Sequence, residues 1–301
     1  MNNQMTMFDI GEKNIDPSII NVSSVPQRSP FRYPGGKTWL IPTVRQWLKQ
    51  EKKTIETLVE PFAGGGIVSL TAAFEKMAEK IIMVELDEEI AAVWEVIFNG
   101  KNKWLADKIY SFELSLANVK AELENPHKQL QDIAFCTILK NRIFHGGILA
   151  KGSGMIKNGE NGKGIASRWY PKTLHDRILA IGYVKNKIDF TLGDAFEAME
   201  QNKGNVNAYF FIDPPYTVAG KRLYTYFDID HERLFELSSN VKGKFMLTYD
   251  DTTEIRQLAD KYSLQYRTIP MKTTLHYKKN ELIISDNFRW WKESNSSQQS
   301  L

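Results

Sequence analysis

A doubly wound α/β sheet interrupted by a mainly helical insertion is the fold this sequence predicts. Three observations predict it: short aliphatic and aromatic runs that read as buried strands, helical periodicity between them, and a break in that alternation from about Asn99 to Lys187. The strand runs are Thr57–Glu60, Ile81–Glu85, Ile188–Leu192, Ala208–Ile212, Lys244–Thr248 and Leu282–Ser285. They are continuously rather than alternately apolar, as strands covered on both faces are. Helical spacing covers Val68–Lys80, Glu88–Phe98, His231–Ser239 and Thr253–Tyr262. Within the break the pattern is helical over Trp104–Leu123 and Gln129–Ile143, then glycine-rich, then helical again near Leu174–Tyr183. The expected division is an N-terminal tail, 1–27, poorly ordered; an α/β domain of 28–98 and 188–292; an inserted domain, 99–187; and a flexible polar tail, 293–301.

A chain of 301 residues with 42% hydrophobic and 25% charged residues has the make-up of a globular protein. Cys136 is its one cysteine, which excludes an internal disulfide, a Cys-rich zinc site and CxxC redox chemistry. No Cys/His/Asp cluster with metal-ligand spacing is visible, so no metal is expected. No apolar run approaches the roughly 20 residues that span a bilayer, and Met1–Asn14 lacks a signal-peptide pattern. The expected location is the reducing interior of a cell, without membrane attachment.

The net charge of +3 is small, but its distribution is informative. Arg28, Arg32, Lys37, Arg45, Lys49, Lys52 and Lys53 face one acid, Glu51, and Lys140–Asp189 holds ten Lys or Arg against Glu160, Asp176 and Asp189. Clustered positive charge with aromatics nearby suits a polyanion, or else coats a solvated face. Of the 19 glycines, seven lie between Gly146 and Gly164 beside Lys151, Lys157 and Lys163. That segment reads as a long mobile loop, either a linker or an element that orders on nucleic acid.

Three motifs carry chemistry. Glu60-Pro61-Phe62-Ala63-Gly64-Gly65-Gly66 ends one strand and opens a helix, where an α/β sheet binds ligands and glycines admit a close approach. It fails the dinucleotide fingerprint, because Ser69 occupies the last glycine position, and Gly35-Gly36-Lys37-Thr38 fails the Walker pattern, because Phe31 stands at its first glycine. Glu85 at the next strand's tip is placed to accept from ribose hydroxyls, or belongs with Asp87–Glu89 to an acidic first helical turn. Asp194 after Gly193 either meets an adenine amino group or caps the following helix. Finally, Phe210-Phe211-Ile212-Asp213-Pro214-Pro215-Tyr216 ends a strand in a carboxylate, two prolines and an aromatic ring. The prolines donate no hydrogen bonds, so the Asp213 carboxylate and the Pro214 carbonyl can both accept from one NH2 group while Tyr216 offers a face for stacking.

In that order along the chain, from Arg32 to Phe288, Phe31-Arg32-Tyr33-Pro34-Gly35-Gly36-Lys37, the Glu60–Gly66 loop, Glu85, Gly193-Asp194 and Asp213–Tyr216 resemble the Dam-like (alpha-class) S-adenosylmethionine-dependent N6-adenine DNA methyltransferases. Asn141-Arg142 and Arg168-Trp169 resemble the same family. The resemblance implies a Rossmann-like methyltransferase sheet with helices on both faces and an inserted target-recognition domain. It also implies transfer of a methyl group from S-adenosylmethionine to N6 of adenine in double-stranded DNA, with the base flipped out. Lys37 and the backbone at Gly35 and Gly36 would face the methionine carboxylate, with Tyr33 beside them. Glu60, Phe62, Ala63, Gly64 and Gly66 would shape the pocket, Glu85 and Leu86 would hold the ribose, and Asp194, Ala195 and Phe196 the cofactor's adenine. Asp213, Pro214, Pro215 and Tyr216 would form the catalytic element, with Asp213 also near the cofactor. Asn141, Arg142, His145, Lys151, Arg168 and Trp169 are the implied DNA contacts. The family further implies a monomer or weak dimer in the cytoplasm of a bacterium or archaeon, or encoded by a phage, associated with the nucleoid and in some cases partnered by a restriction endonuclease.

Two features depart from the family: Glu85, where members often carry Asp, and the length and glycine content of the loop after Gly146. Cytosine C5 methylation is excluded, because Cys136 follows Phe135 in an apolar helical pattern and has no Pro-Cys setting. N4-cytosine, RNA or protein-glutamine methylation use the same amine logic, and a DNA-binding protein without activity would also keep the fold.

Overall fold

The computed structural model describes residues 25–32, 36–51, 54–126, 129–150, 152–159, 162–216, 225–226, 228–272 and 278–291. Both predicted tails lie largely outside these residues, although Val25 is already buried, two residues before the expected boundary. Among the described residues the elements run α1 (Ile41–Leu48), β1 (Ile55–Glu60), α2 (Ile67–Phe74), β2 (Ala78–Glu85), α3 (Glu88–Val96), α4 (Asn102–Ser111), α5 (Leu116–Glu124), α6 (Leu130–Ile143), α7 (Pro171–Ile181), β3 (Ile188–Leu192), α8 (Ala195–Asn202), β4 (Ala208–Ile212), α9 (His231–Asn240), β5 (Lys244–Asp250), α10 (Thr253–Lys261), β6 (Gln265–Lys272) and β7 (Lys278–Ser285).

The strands form one seven-stranded sheet in the order β3-β2-β1-β4-β5-β7-β6. β3, β2, β1, β4 and β5 are parallel, whereas β7 is inserted antiparallel between β5 and β6. Alternate strand residues feed two cores. Leu58, Phe211, Met246 and Ile283 pack on one face with α1, α2 and α3. Val59, Phe210, Leu247 and Ile284 pack on the other with α8, α9 and α10. Winding β1-β2-β3 outward one way and β4-β5 the other leaves a topological switch point between β1 and β4, where sheets of this kind open a ligand crevice at the strands' carboxyl ends.

Five elements differ from the sequence expectation. The helix expected over Val68–Lys80 stops at Phe74, because Lys76 takes a left-handed φ of 52° and Ala78 begins β2. Trp104–Leu123 is two helices, the second started by the Ser115 hydroxyl accepting from the Asn118 amide. α1 and β6 carry no clear sequence signal. The segment after Gly146, expected as a loose loop, is tied to itself. His145 N donates to Gly154 O, Ile156 N to Ile143 O and Gly164 N to Asn158 O, with Phe144 and Met155 paired in a bridge.

The helices of the expected insertion share the sheet's hydrophobic cluster: Leu105 and Ile109 of α4, Val119 of α5, Phe135 and Ile138 of α6, and Leu174 and Ile178 of α7 belong to it. The chain at 28–32 is pinned between this layer and the sheet. Asn141 accepts from Arg32 N at 2.8 Å and donates to Arg32 O at 3.1 Å and to Gly147 O at 2.8 Å. Arg142 donates to Pro30 O, and Arg177 to Ser29 O at 2.7 Å. Asn141 and Arg142 are thus 1% and 5% exposed. The base-reading role expected of these two does not fit this placement, since both side chains are buried, with Asn141 satisfied by backbone and Arg142 turned to Pro30 O. Asn141→Ala is expected to lower stability by about 2–4 kcal/mol, because it strips partners from three backbone groups at once. Denaturant unfolding checks this; a loss under about 0.5 kcal/mol, the size of an ordinary surface change, would contradict it.

Candidate active site

The β1 tip builds the first wall of the crevice. Gly66 sits at φ 61° ahead of α2, and a Cβ there would lie 2.8 Å from Met83 Cε and 3.1 Å from the Trp94 ring. Only glycine fits a left-handed turn pressed this closely against β2 and α3. The loop is fastened by its neighbours: Gly64 N donates to Glu85 Oε2 at 2.7 Å, Trp94 Nε1 donates to Gly64 O at 2.9 Å, and Ala63 N donates to Val84 O. Glu85 also accepts from Asp87 N at 2.9 Å, and Asp87 caps α3. Glu60 accepts from Ser69 N at 2.8 Å. Phe62 is half-buried, and Leu86 is among the exposed apolar residues.

Burial dominates the titration of both glutamates. It pushes Glu60 up to about 8, with the Asp213 and Glu85 charges adding and the Ser69 bond opposing. It pushes Glu85 up to about 7 against the backbone bonds from Asp87 and Gly64. These groups are held close to neutrality in an apolar setting, ready to gain from any donor that enters.

The β4 tip builds the second wall. Asp213 Oδ1 accepts from the Thr248 hydroxyl at 2.6 Å and lies 2.8 Å from Lys37 Nζ. Among the described contacts both fall on Oδ1. Pro214 is buried, and Pro215 and Tyr216 are half-buried at the crevice. The Tyr216 hydroxyl donates to Glu281 Oε2 at 2.9 Å, its ring stacks on Tyr249 at 5.9 Å, and Lys37 Nζ lies 4.9 Å from its centroid. Tyr249 in turn meets His231 Nδ1 at 2.6 Å. Lys37 is 3% exposed. Burial works against its charge, but the carboxylates of Asp213 and Glu281 outweigh it and hold its pKa above the ordinary value. The ammonium expected to face the methionine carboxylate is therefore engaged here with the catalytic element.

The remaining expected residues divide. Asp194 caps α8 by accepting from Phe196 N at 2.8 Å and Glu197 N at 3.1 Å, the structural alternative read in the sequence. Ala195 and Phe196 are buried behind it. Trp169 is a core residue packed edge-on against Phe112, while His145 is exposed and Arg168 half-buried. Gly36 lies at the crevice side of Lys37, and Tyr33, Gly35 and Lys151 fall outside the described residues. Arg142 is pushed down to about 9, first by burial and then by Arg177, Arg32 and Arg168, so four guanidinium groups converge beside the N-terminal segment. Among the described residues no group of three or more His, Cys, Asp and Glu side chains has a metal-binding arrangement, and no helix is long and apolar enough to cross a membrane. Thr248, Tyr249 and Glu281 are the site residues that sequence reading missed. Thr248 and Tyr249 look like ordinary strand residues, and Glu281 is one charge ahead of Leu282-Ile283-Ile284.

Residues 33–133 match the family model of the D12 class N6 adenine-specific DNA methyltransferases. Solved structures similar to this chain include a Pyrococcus horikoshii protein described as an RNA methyltransferase, at 11% identity over 88% of this chain and 92% of that one, with a TM-score of 0.41. Another is the rRNA methyltransferase aviRa from Streptomyces viridochromogenes, at 13% identity over 91% and 94% of the two chains, with a TM-score of 0.36. These likenesses are too distant to carry an argument. No curated protein matches the chain.

Unfolding returns both glutamates to the ordinary 4.5. Between about pH 4.5 and 8 the folded chain holds protons that the unfolded chain releases, so stability falls as pH rises. Above about pH 7 Glu60 contributes the larger share of that fall. Glu60→Gln is expected to flatten the decline between pH 7 and 8 in denaturant unfolding; an unchanged slope would refute the assignment.

Proposed function

We propose that this chain transfers the methyl group of S-adenosylmethionine to the N6 amino group of adenine in double-stranded DNA, with the target base flipped out of the helix. The observation that carries this reading is the Asp213–Tyr216 element at the carboxyl end of β4, facing the glycine loop across the β1/β4 switch point with Asp213 already oriented by Lys37 and Thr248.

The donor set suits the cofactor. Glu85 keeps lone pairs for two ribose hydroxyls after accepting from Gly64 and Asp87. Glu60 and the Phe62–Gly66 turn line the same wall. S-adenosylmethionine, when bound, supplies an activated sulfonium methyl. The protein's part is alignment. Asp213 Oδ2 and the Pro214 carbonyl accept the two N6 protons and turn the nitrogen lone pair toward the methyl. Tyr216 stacks on the adenine ring, a contact worth roughly 1–3 kcal/mol that helps offset the cost of flipping. Transfer would form a carbon–nitrogen bond and break the sulfonium's carbon–sulfur bond, whose electron pair would return to sulfur to leave a neutral thioether; the nitrogen would become positive and acidic, and one N6 proton would leave through Asp213 or water. A strong base is not needed, in keeping with a carboxylate already paired with Lys37.

The Arg32, Arg142, Arg168 and Arg177 group supports a polyanion partner on the face that carries the N-terminal segment. Phosphate contacts there would make binding strongly salt-dependent. His145, Lys151 and Arg168 remain the residues proposed to reach the DNA. The 99–187 segment is proposed as the recognition region. In this reading the protein acts on cytoplasmic, nucleoid-associated DNA as a monomer or weak dimer, with or without a cognate restriction endonuclease.

Incubation of duplex DNA with methyl-labelled cofactor, followed by digestion to nucleosides, is expected to yield N6-methyladenine. Asp213→Ala is expected to reduce transfer by at least about 100-fold through lost alignment, and full activity in that variant would overturn the mechanism. Glu85→Ala is expected to weaken cofactor binding about 10- to 100-fold, the loss of one or two hydrogen bonds to a charged acceptor. Calorimetry with the cofactor alone measures this, and unchanged affinity would remove Glu85 from the ribose site.

A further inference from the structure

Glu281 is the buried charge at this site that the mechanism does not yet use. It sits near the start of β7, 4% exposed, directly across the ladder from Asp250 at the carboxyl end of β5. Its Oε2 accepts the Tyr216 hydroxyl at 2.9 Å and lies 3.8 Å from Lys37 Nζ. Lys37 in turn bridges to Asp213 at 2.8 Å. One carboxylate oxygen therefore touches both the proposed stacking ring and the cation that holds the proposed amine receptor.

We propose that Glu281 is a positioning residue for methyl transfer, which fixes the Tyr216 ring by its hydroxyl and holds the Lys37 ammonium against Asp213 Oδ1. The inference rests on the function proposed above. The Asp213–Tyr216 element follows a strand end with two prolines, which give no backbone N–H groups to anchor it. Side chains from outside the element must do so: Lys37 from the segment before α1, Thr248 from β5 and Glu281 from β7. A small displacement of a reacting group costs rate far more than it costs binding.

Two variants separate these effects. Glu281→Gln keeps an acceptor of the same shape but removes the charge opposite Lys37. Tyr216→Phe keeps the ring but removes the hydroxyl that Glu281 holds. Among the described contacts, the groups facing Lys37 are Asp213, Glu281 and the Tyr216 ring, with Thr248 sharing Asp213 Oδ1 and Asp250 behind Glu281. Glu281→Gln takes away one of the two carboxylates that raise the Lys37 pKa, so Lys37 loses its proton at lower pH.

The experiment is steady-state methylation of duplex DNA by wild type and both variants across pH, with cofactor affinity measured by calorimetry. Each variant is expected to lower kcat about 10- to 100-fold while cofactor affinity stays within about 3-fold, the pattern of lost alignment rather than lost binding. In Glu281→Gln the alkaline limb of kcat is expected to move to lower pH. If wild type yields N6-methyladenine and Glu281→Gln matches it in kcat and pH profile, the inference fails and the function stands. Should Glu281→Gln not fold, Tyr216→Phe decides: a kcat equal to wild type overturns the inference. Absence of N6-methyladenine with wild type overturns the function and the inference with it.

Discussion

The buried ion pair between Lys37 and Asp213 is the contact on which this molecule's crevice depends. A lysine that is 3% exposed survives as an ammonium only because two carboxylates meet it, at 2.8 Å and 3.8 Å. Taking such a charge out of water costs several kcal/mol, and the pair repays that cost only in a well-made geometry. The geometry joins three distant parts of the chain: the segment before α1, the end of β4 and the start of β7. Removing one partner would leave the other charge buried and alone, so the pair specifies the arrangement of the crevice more than it adds to stability.

The same segment that carries Lys37 is held from behind by polar groups of the inserted helices. Asn141, Arg142 and Arg177 satisfy the backbone of residues 29–32, a stretch with no regular secondary structure to satisfy itself. The helices of residues 99–187 therefore hold the segment that leads to Lys37, besides their proposed DNA task. On the other side of the crevice, the glycine loop is held by Glu85 and Trp94, with one backbone bond from Ala63 to β2. Both walls are positioned by side chains from neighbouring elements.

The site also contains unequal carboxyl groups. Glu60 and Glu85, sealed in apolar surroundings, are pushed to about 8 and 7, whereas Asp213 lies next to a cation. Environment therefore sets them apart, and the proposed function uses the difference: Glu60 and Glu85 for cofactor hydrogen bonds, Asp213 as an oriented acceptor.

The sequence alone determined the strands whose residues are apolar on both sides, the glycine turn after β1, and the Asp213-Pro214-Pro215-Tyr216 element, because each is a local pattern with a local physical cause. It also determined the chemistry suggested by that element and the exclusion of a cysteine nucleophile. Tertiary structure decided what depends on residues far apart in the chain. α1 and β6 form because packing and ladder pairing outweigh weak local preference, and β7 inserts antiparallel beside β5, which brings Glu281 to the crevice. Asn141 and Arg142, legible only as polar residues suited to bases, are buried because the backbone of residues 29–32 needed partners. Lys37 meets Asp213 for a similar reason: a pairing across 176 positions leaves no periodicity in the sequence, and only the folded sheet, by bringing strand ends together, can make it.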